Sequence, residues 1–514
     1  MHISRYKNSF LHSLLAVSIL CSVAACSDSN TAGPSPFERA VTAGGGSAAL
    51  TDLTAISLTS SGERNIFDEG FTPGGDVESA GTFSLDMTFD VAAGNIRLDY
   101  LRQSVGAQRV VSEVIVGQVG FIEGQDVNFS PPDTRPMSAD RWASTVQLQR
   151  LLNPQLVLRE VLADPGLIID NRGNRFRVRD DVNPLTLTID PTTGFITRLE
   201  TVELDYNRRD VPLEVSYADW QPFGELFFPT KVSITLAGAL IHRETRTAVE
   251  VNPVLSGTRF DLPAGITPVQ DAALADRGKR TSQYLQSFVA LGFIKDGAHT
   301  AVDAVQIAPG VFHLTDPSNN SLVIEQANGV VVVEGVLHDL RAGAIIDWIT
   351  TNIPGKPITH LINTHHHADH AGGTRLFVAQ GASVVVHEAA ESFYRDMLQR
   401  TDTTLLPDAL DLNPVAAAFQ VVPAGGSLRI DDTLRPVVAF PVVTTHAADM
   451  TIIFVENPGV IFVSDIFSPG GAAGAGAVEL NTAIVNNGLN NPAFIIAGGH
   501  GGTIPYSDFL ALLP

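Results

Sequence analysis

Residues 364–373 read Thr364-His365-His366-His367-Ala368-Asp369-His370-Ala371-Gly372-Gly373, directly after the apolar run from Ile358 to Asn363. That run is predicted to be a buried strand, and a loop leaving the end of a strand is where α/β folds place their chemistry. Four histidines and a carboxylate in six positions would be costly to bury without a cation or hydrogen-bond partners. In an extended or tightly turned segment, residues two apart point the same way. His365 and His367 can therefore grip one ion while His366 faces elsewhere, and Asp369 and His370, further round the turn, face a second position. Imidazole and carboxylate are the ligand set of Zn, Fe or Mn. The only cysteines are Cys21 and Cys26, both in a leader-like segment, so thiolate ligation is excluded.

Working outward, Val311 to Leu314, Leu322 to Ile324 and Val330 to Val333 read as strands, the last of the uninterrupted type expected for a sheet covered on both faces. Ile345, Ile346, Trp348 and Ile349 suit a helix, and the alternation predicts an α/β domain over residues 300–514. Three further candidate ligands each follow an apolar strand. His446 comes after Phe440 to Val443, Asp465 after Val460 to Val463, and His500 after Ala493 to Ala497.

His365-x-His367-x-Asp369-His370, followed by His446, Asp465 and His500, resembles the metallo-β-lactamase superfamily over about residues 305–510. The resemblance implies a four-layered αβ/βα sandwich of two facing mixed sheets, with the site at one edge of both. It implies that His365, His367 and His446 bind one metal, that Asp369, His370 and His500 bind the other, and that Asp465 bridges them. Two divalent ions, zinc expected and iron or manganese the alternatives, would activate a water to cleave an ester, thioester, lactone or related bond in a small-molecule substrate. Asp369 is expected to act catalytically as well, accepting or relaying a proton. Glu334 lies where many relatives carry an Asp and is expected to orient neighbouring groups rather than to bind metal.

Asp465 stands where β-lactamases place a cysteine or serine, which disfavours a penicillin-cleaving role. Ser468 stands where lactonases of the superfamily often carry a tyrosine, which withdraws support from that assignment. The competing classes are a mononuclear iron oxidoreductase of the same superfamily, a β-lactamase, and an envelope binding protein with a vestigial metal domain. Among the remaining polar residues, His360 and His387 are expected to be structural, His313 and His338 receive no role, and Asp449 suits either a partner for a liganding imidazole or a turn. The run Pro469 to Gly476 is too glycine-rich for a stable helix and is expected to be a loop bordering the site.

Upstream, residues 49–265 show period-two alternation with frequent turn signals, as in Leu185, Leu187 and Ile189 with Thr186 and Thr188 between them. This predicts a mainly antiparallel β domain. The Asp190-Pro191-Thr192-Thr193-Gly194 turn and the Phe228-Pro229-Thr230-Lys231 stretch resemble the half-barrel of periplasmic lipoprotein carriers, and the expectation carried forward is a β-rich accessory domain. Residues 266–299 are expected to be a linker, with a helix through Tyr284, Leu285, Phe288, Val289 and Leu291. Residues 27–48, rich in Gly, Ser and Pro, are expected to be a flexible tether.

At 514 residues the chain exceeds the size at which single cores stop growing, about 250–300 residues, so two domains are expected. A composition that is 44% hydrophobic and 17% charged is that of folded globular protein. Acidic residues outnumber basic ones 55 to 33, a formal charge of -22, which argues against nucleic acid as a partner. Residues 1–26 read as a secretory signal, with His2, Arg5 and Lys7 ahead of an apolar run through Leu14, Leu15, Val17, Ile19 and Leu20. Its end, Val23-Ala24-Ala25-Cys26, resembles the lipobox of bacterial lipoproteins. That resemblance implies a lipid anchor on Cys26, membrane attachment and a bacterial envelope or periplasmic location.

Overall fold

Val330–Val333 contains no polar residue because both of its faces are covered. In the computed structural model, Val331 and Val333 face a core shared by two sheets, while Val330 and Val332 face a core shared with helices. Burying each such side chain contributes about 1.5–3 kcal/mol. The structure describes residues 33–75, 77–104, 107–126, 131–268, 270–282, 297–316, 318–401 and 403–514. The expected signal and lipidated Cys26, and the helix expected through Tyr284 and Leu291, lie outside the described residues.

The carboxy-terminal domain is a sandwich of two sheets whose strands follow chain order. The first runs from Asp303–Ala308 through Val311–Thr315, Ser321–Glu325, Val330–Val333, Ile358–Ile362 and Ser383–His387 to Phe419–Val422. Its pairings are antiparallel as far as Val330–Val333 and parallel from there on. The second comprises Leu428–Ile430, Val437–Pro441, Thr451–Val455, Val460–Val463, Ile495–Gly498 and Thr503–Pro505, with one parallel pairing, between Val460–Val463 and Ile495–Gly498. Val331, Val333, Ile362 and Val385 of the first sheet meet Val437, Ile453, Val460 and Phe462 of the second in one core. Asp339–Asn352 and Thr374–Ala379 cover the outside of the first sheet, and Ala475–Asn486 and Tyr506–Leu510 cover that of the second. Helix, sheet, sheet, helix is the expected layering.

The amino-terminal domain is one antiparallel sheet of thirteen strands among the described residues. Its first strand, Ala55–Ile66, pairs with its last, Ala239–Val251, and so joins two meanders at the middle of the sheet. The alternation read at Leu185, Leu187 and Ile189 is the inner face of strand Leu185–Ile189. Two helices, Ala139–Leu152 and Pro154–Ala163, lead from one edge strand, Asp133–Pro136, to the other, Ile168–Arg172. Their Leu148, Leu151, Leu156, Val157 and Val161 join residues from the whole sheet in a single core.

The period-two reading passed over this helix pair for a physical reason. Ala139–Leu152 is buried nearly all round, polar residues included, so it carries no amphipathic stripe. Its Arg141 is fully buried and donates to Glu113 at 2.9 Å and to Asp126 at 2.7 Å. Arg102 reaches the same Glu113 at 2.7 Å, and Thr145 donates to it at 3.1 Å. Burial pushes the Glu113 carboxyl up, but Arg141 and Arg102 outweigh it and hold the group below its ordinary range.

Residues 33–48 are not a tether. Pro36–Ala43 is a helix closed by a capping box between Ser35 and Glu38, and Ser47–Thr51 is a second short helix. Phe37, Ala40 and Val41 enter the sheet's core, with Phe37 edge-on to Phe176 at 5.5 Å. Glycine and serine mark the ends of these helices rather than flexibility. Phe37→Ala is expected to cost about 3–5 kcal/mol in urea unfolding of the amino-terminal domain, whereas a tether residue would cost nothing.

His242 sets a pH dependence for the same domain. Burial, then the neighbouring Arg64, push its imidazole from 6.5 down to about 4. The unfolded chain therefore takes up this proton at higher pH than the folded one, and stability falls as pH drops from 6.5 toward 4, by about 3 kcal/mol. Denaturant unfolding across that window should show the loss, and His242→Gln should flatten it.

Candidate metal centre

The motif loop is positioned by both sheets. Asn363, at the end of Ile358–Ile362, donates its backbone N–H to Val385 at 3.1 Å. Thr364 follows, and its carbonyl accepts from the backbone N and the side-chain Oγ1 of Thr451, at 2.9 and 3.0 Å, tying the loop to the second sheet. A single short helix, Ala368–Ala371, then turns Asp369 and His370 inward. The Gly372-Gly373 pair is required by a close approach. A Cβ on Gly372 would lie 2.0 Å from the Leu337 carbonyl oxygen, and one on Gly373 would lie 2.9 Å from the Ala342 side chain.

All seven candidate ligands converge, in two groups joined by a third, Glu334 with His365 and His370. Donor atoms of His365, His367, His446 and Asp465 lie within 4.8 Å of one another, as do those of Asp369, His370 and His500. Asp465 faces both. Its Oδ2 is 3.1 Å from His446 Nε2, 3.6 Å from His365 Nε2 and 4.0 Å from His367 Nδ1. Its Oδ1 is 3.0 Å from His370 Nε2 and 3.1 Å from His500 Nε2. Asp369 Oδ2 sits 3.4 Å from His370 Nε2 and 3.8 Å from His500 Nε2. The site is open on one side, where His446 and His500 retain 30% and 19% side-chain exposure. His365, His367, Asp369 and His370 are buried.

This donor set fits divalent metal. Nε2 of His365 is buried without a hydrogen bond, an arrangement that costs free energy unless a cation takes its lone pair. Electrostatics sort the imidazoles in the protein alone. Burial pushes His370 down, but Asp369, Asp465 and Glu334 outweigh it and hold the ring well above its ordinary range. Asp465 does the same, less strongly, for His500. Burial, then the neighbouring His370, lower His365, and burial with His365 and His446 beside it holds His367 well below. Burial raises the Asp465 carboxyl, yet His370 and His500 keep it well below the carboxylate range.

Several supporting residues surround the candidate ligands, and of these only Glu334 is expected from the sequence. Glu334, fully buried at a left-handed φ of 68°, accepts from Thr364 Oγ1 at 2.5 Å and lies 2.9 Å from His370 Nδ1. Asn319 donates to Asp369 Oδ2 at 3.0 Å, and the Ser318 carbonyl receives His500 Nδ1. His313, given no role from sequence, bonds the Gly498 carbonyl at 2.8 Å, two residues before His500. Glu69 and Gly70 reach His367 from the amino-terminal domain, with Glu69 Oε2 3.9 Å from Nδ1 and the Gly70 carbonyl 3.0 Å from Nε2. Buried Asn, Ser and Glu in loops have no periodicity to betray them.

The weaker expectations divide. His366 turns away from the ligands and bonds Asp449 at 2.8 Å, so Asp449 serves an imidazole outside the candidate set. His387 caps the turn that follows it, accepting from the Ala389 N–H at 3.1 Å, and His360 pairs with Gln420 at 2.9 Å. His338 caps helix Asp339–Asn352. The glycine-rich run is not wholly loop, since Ala475 and Gly476 open the helix Ala475–Asn486. A Cβ on Gly476 would lie 2.4 Å from the Ile466 carbonyl oxygen, so glycine there serves helix packing.

The comparisons with known proteins bear on the same segment. Residues 314–490 match the metallo-beta-lactamase superfamily. The match takes in the motif loop, His446 and Asp465, and ends before His500. Among solved structures, the chain is similar to a metallo-beta-lactamase from Pontibacter korlensis, at 14% identity over 41% of this chain and 96% of that one, with a TM-score of 0.32. It is similar to another from Hirschia baltica, at 17% identity over 41% and 94%, with a TM-score of 0.32. A stereoselective inverting sec-alkylsulfatase from Pseudomonas sp. is 14% identical over 41% of this chain and 40% of that one, with a TM-score of 0.31. No curated protein matches. The metallo-beta-lactamase match begins downstream of the thirteen-stranded sheet.

Glu334→Gln keeps the shape of the carboxylate that steadies His370 and removes its charge. Metal affinity of the carboxy-terminal domain, read by competition with a chromophoric chelator, should fall about 10–100-fold. Unchanged affinity would take Glu334 out of the site.

Proposed function

We propose that the chain is a dinuclear metallo-hydrolase that cleaves an ester, thioester, lactone or related bond in a small molecule. The observation that carries this reading is the position of Asp465, one carboxylate oxygen toward His365, His367 and His446 and the other toward His370 and His500. One metal would be held by the first three histidines and a second by Asp369, His370 and His500, with Asp465 shared. Two divalent cations in such a site supply Lewis acidity and lower the pKa of a water to near neutrality.

The chain's own residues support the rest. Asp369 is the proposed proton acceptor as well as a ligand, and Asn319 restrains one of its oxygens. His446 and His500 lie on the open side and leave room for substrate to approach. Thr444 and Thr445 hydrogen-bond Glu479 and brace the loop that carries His446. The leader ending in Cys26 supports an envelope location on a lipid anchor. Zinc is the proposed metal, on the strength of a ligand set rich in imidazole and free of thiolate.

Elemental analysis of the purified protein, paired with a panel of esters, thioesters, lactones, lactams and alkyl sulfates, tests this. Two equivalents of zinc with hydrolysis of at least one class are expected. One equivalent of iron with oxygen uptake would overturn the reading in favour of an oxidoreductase. Asp465→Ala should lose both activity and metal, and a variant that retained both would end the bridging role.

A further inference from the structure

One segment of the amino-terminal domain touches both loops that carry ligands of the first metal position. It is the turn Asp68 to Phe71, just beyond strand Ala55–Ile66. The Asp68 carbonyl accepts from the Ala368 N–H at 3.0 Å, and the Phe71 carbonyl accepts from the Ala448 N–H at 2.7 Å, two residues after His446. Between them, the Gly70 carbonyl lies 3.0 Å from His367 Nε2. A carbonyl can only accept, so His367 Nε2 carries the proton in this pairing, and Nδ1 is left as the ring's lone-pair nitrogen. Nδ1 is the atom that faces His446 Nε2, at 3.1 Å, and Asp465 Oδ2.

The turn is itself held in place. Asp68 is buried and sits at a left-handed φ of 53°, which costs energy outside glycine and persists only where surroundings enforce it. Arg208 enforces it with two bonds, at 2.5 and 2.8 Å, and Asn207 adds a third at 3.0 Å. The Arg208 guanidinium also lies over the Phe67 ring, 4.3 Å from its centre. Beneath the turn, Ile66, Leu204 and Tyr206 of the amino-terminal domain pack with Ala368 and Leu405 of the carboxy-terminal one.

We propose that the turn Asp68 to Phe71 is a built-in part of the metal centre, fixing His367 in the Nε2–H tautomer with Nδ1 presented to the metal, and that Asp68 and Arg208 are its positioning residues. This rests on the metal-binding reading of the site. It assigns the amino-terminal sheet a direct part in assembling that site.

Cobalt(II) loading of the whole chain provides the test, because the visible absorption of bound cobalt reports ligand geometry independently of turnover. Asp68→Asn tolerates the same backbone but loses the ion pair, and Arg208→Met keeps a stem over Phe67 without the guanidinium. Both variants should release one cobalt at about 10–100-fold lower chelator concentration than the parent and shift the spectrum of that ion alone. Arg208→Lys, which restores one charged bond, should recover part of the loss. The proposal is overturned if both variants, melting within a few degrees of the parent in the metal-free state, keep cobalt as tightly and with the same spectrum. A parent that binds one cobalt rather than two would fail the dinuclear reading and leave the comparison at His367 intact.

Discussion

Charge held at the half-buried Asp465 carboxylate governs this molecule. Two carboxylates and five imidazoles drawn into one pocket repel, desolvate and compete for protons, and no arrangement of them is cheap in the protein alone. The chain resolves the conflict by sorting. His370 and His500, next to carboxylates, are pushed toward the protonated form, while His365 and His367, buried and then crowded by other imidazoles, are pushed toward the neutral one. Cations would take over the role of those protons, so metal uptake and proton release are coupled in such a site.

Holding that pocket open is the work of two sheets meeting at their ends. The first brings in Glu334 and the motif loop, and the second brings in His446, Asp465 and His500. Thr364 and Thr451 join the two within one residue of His365. The continuous valine and isoleucine strands behind them form a close-packed floor, and rigidity of that kind keeps seven donor groups within a few ångströms without collapse.

Much of this was legible from the residue order. An uninterrupted apolar strand followed by a His-rich loop marks a sheet buried on both faces with chemistry at its end, and each later ligand repeats the strand-then-ligand pattern. The layering of the carboxy-terminal domain and the alternating strands of the amino-terminal one follow from periodicity. What periodicity missed is what lacks a period. Ala139–Leu152 hides because ion pairs satisfy its inward-facing Arg141, and residues 33–48 look flexible because their helices are short and flanked by glycine. Asn319, Ser318 and Gly70 act on the candidate ligands through one or two hydrogen bonds each, from loops whose sequence obeys no pattern. Gly70 stands 297 positions from the histidine it meets.

The interface between the domains extends the same logic. Arg209, at a left-handed φ of 66°, donates to Asp411 at 2.7 Å, and Arg375, on the helix right after the motif loop, grips that carboxylate from the other side at 2.7 Å. Such a contact is polar, buried and directional, unlike the forgiving apolar seam of a loosely tethered pair of domains.

The pairing of Ala55–Ile66 with Ala239–Val251 has a consequence for the order of events in synthesis. The strand that closes the amino-terminal sheet leaves the ribosome ahead of every candidate metal ligand, and domains generally fold as units from the amino terminus. The turn that meets His367 is thus translated as part of a domain whose partners are complete before the histidine exists. The candidate metal site would then grow against a template already made, rather than assemble from two moving halves.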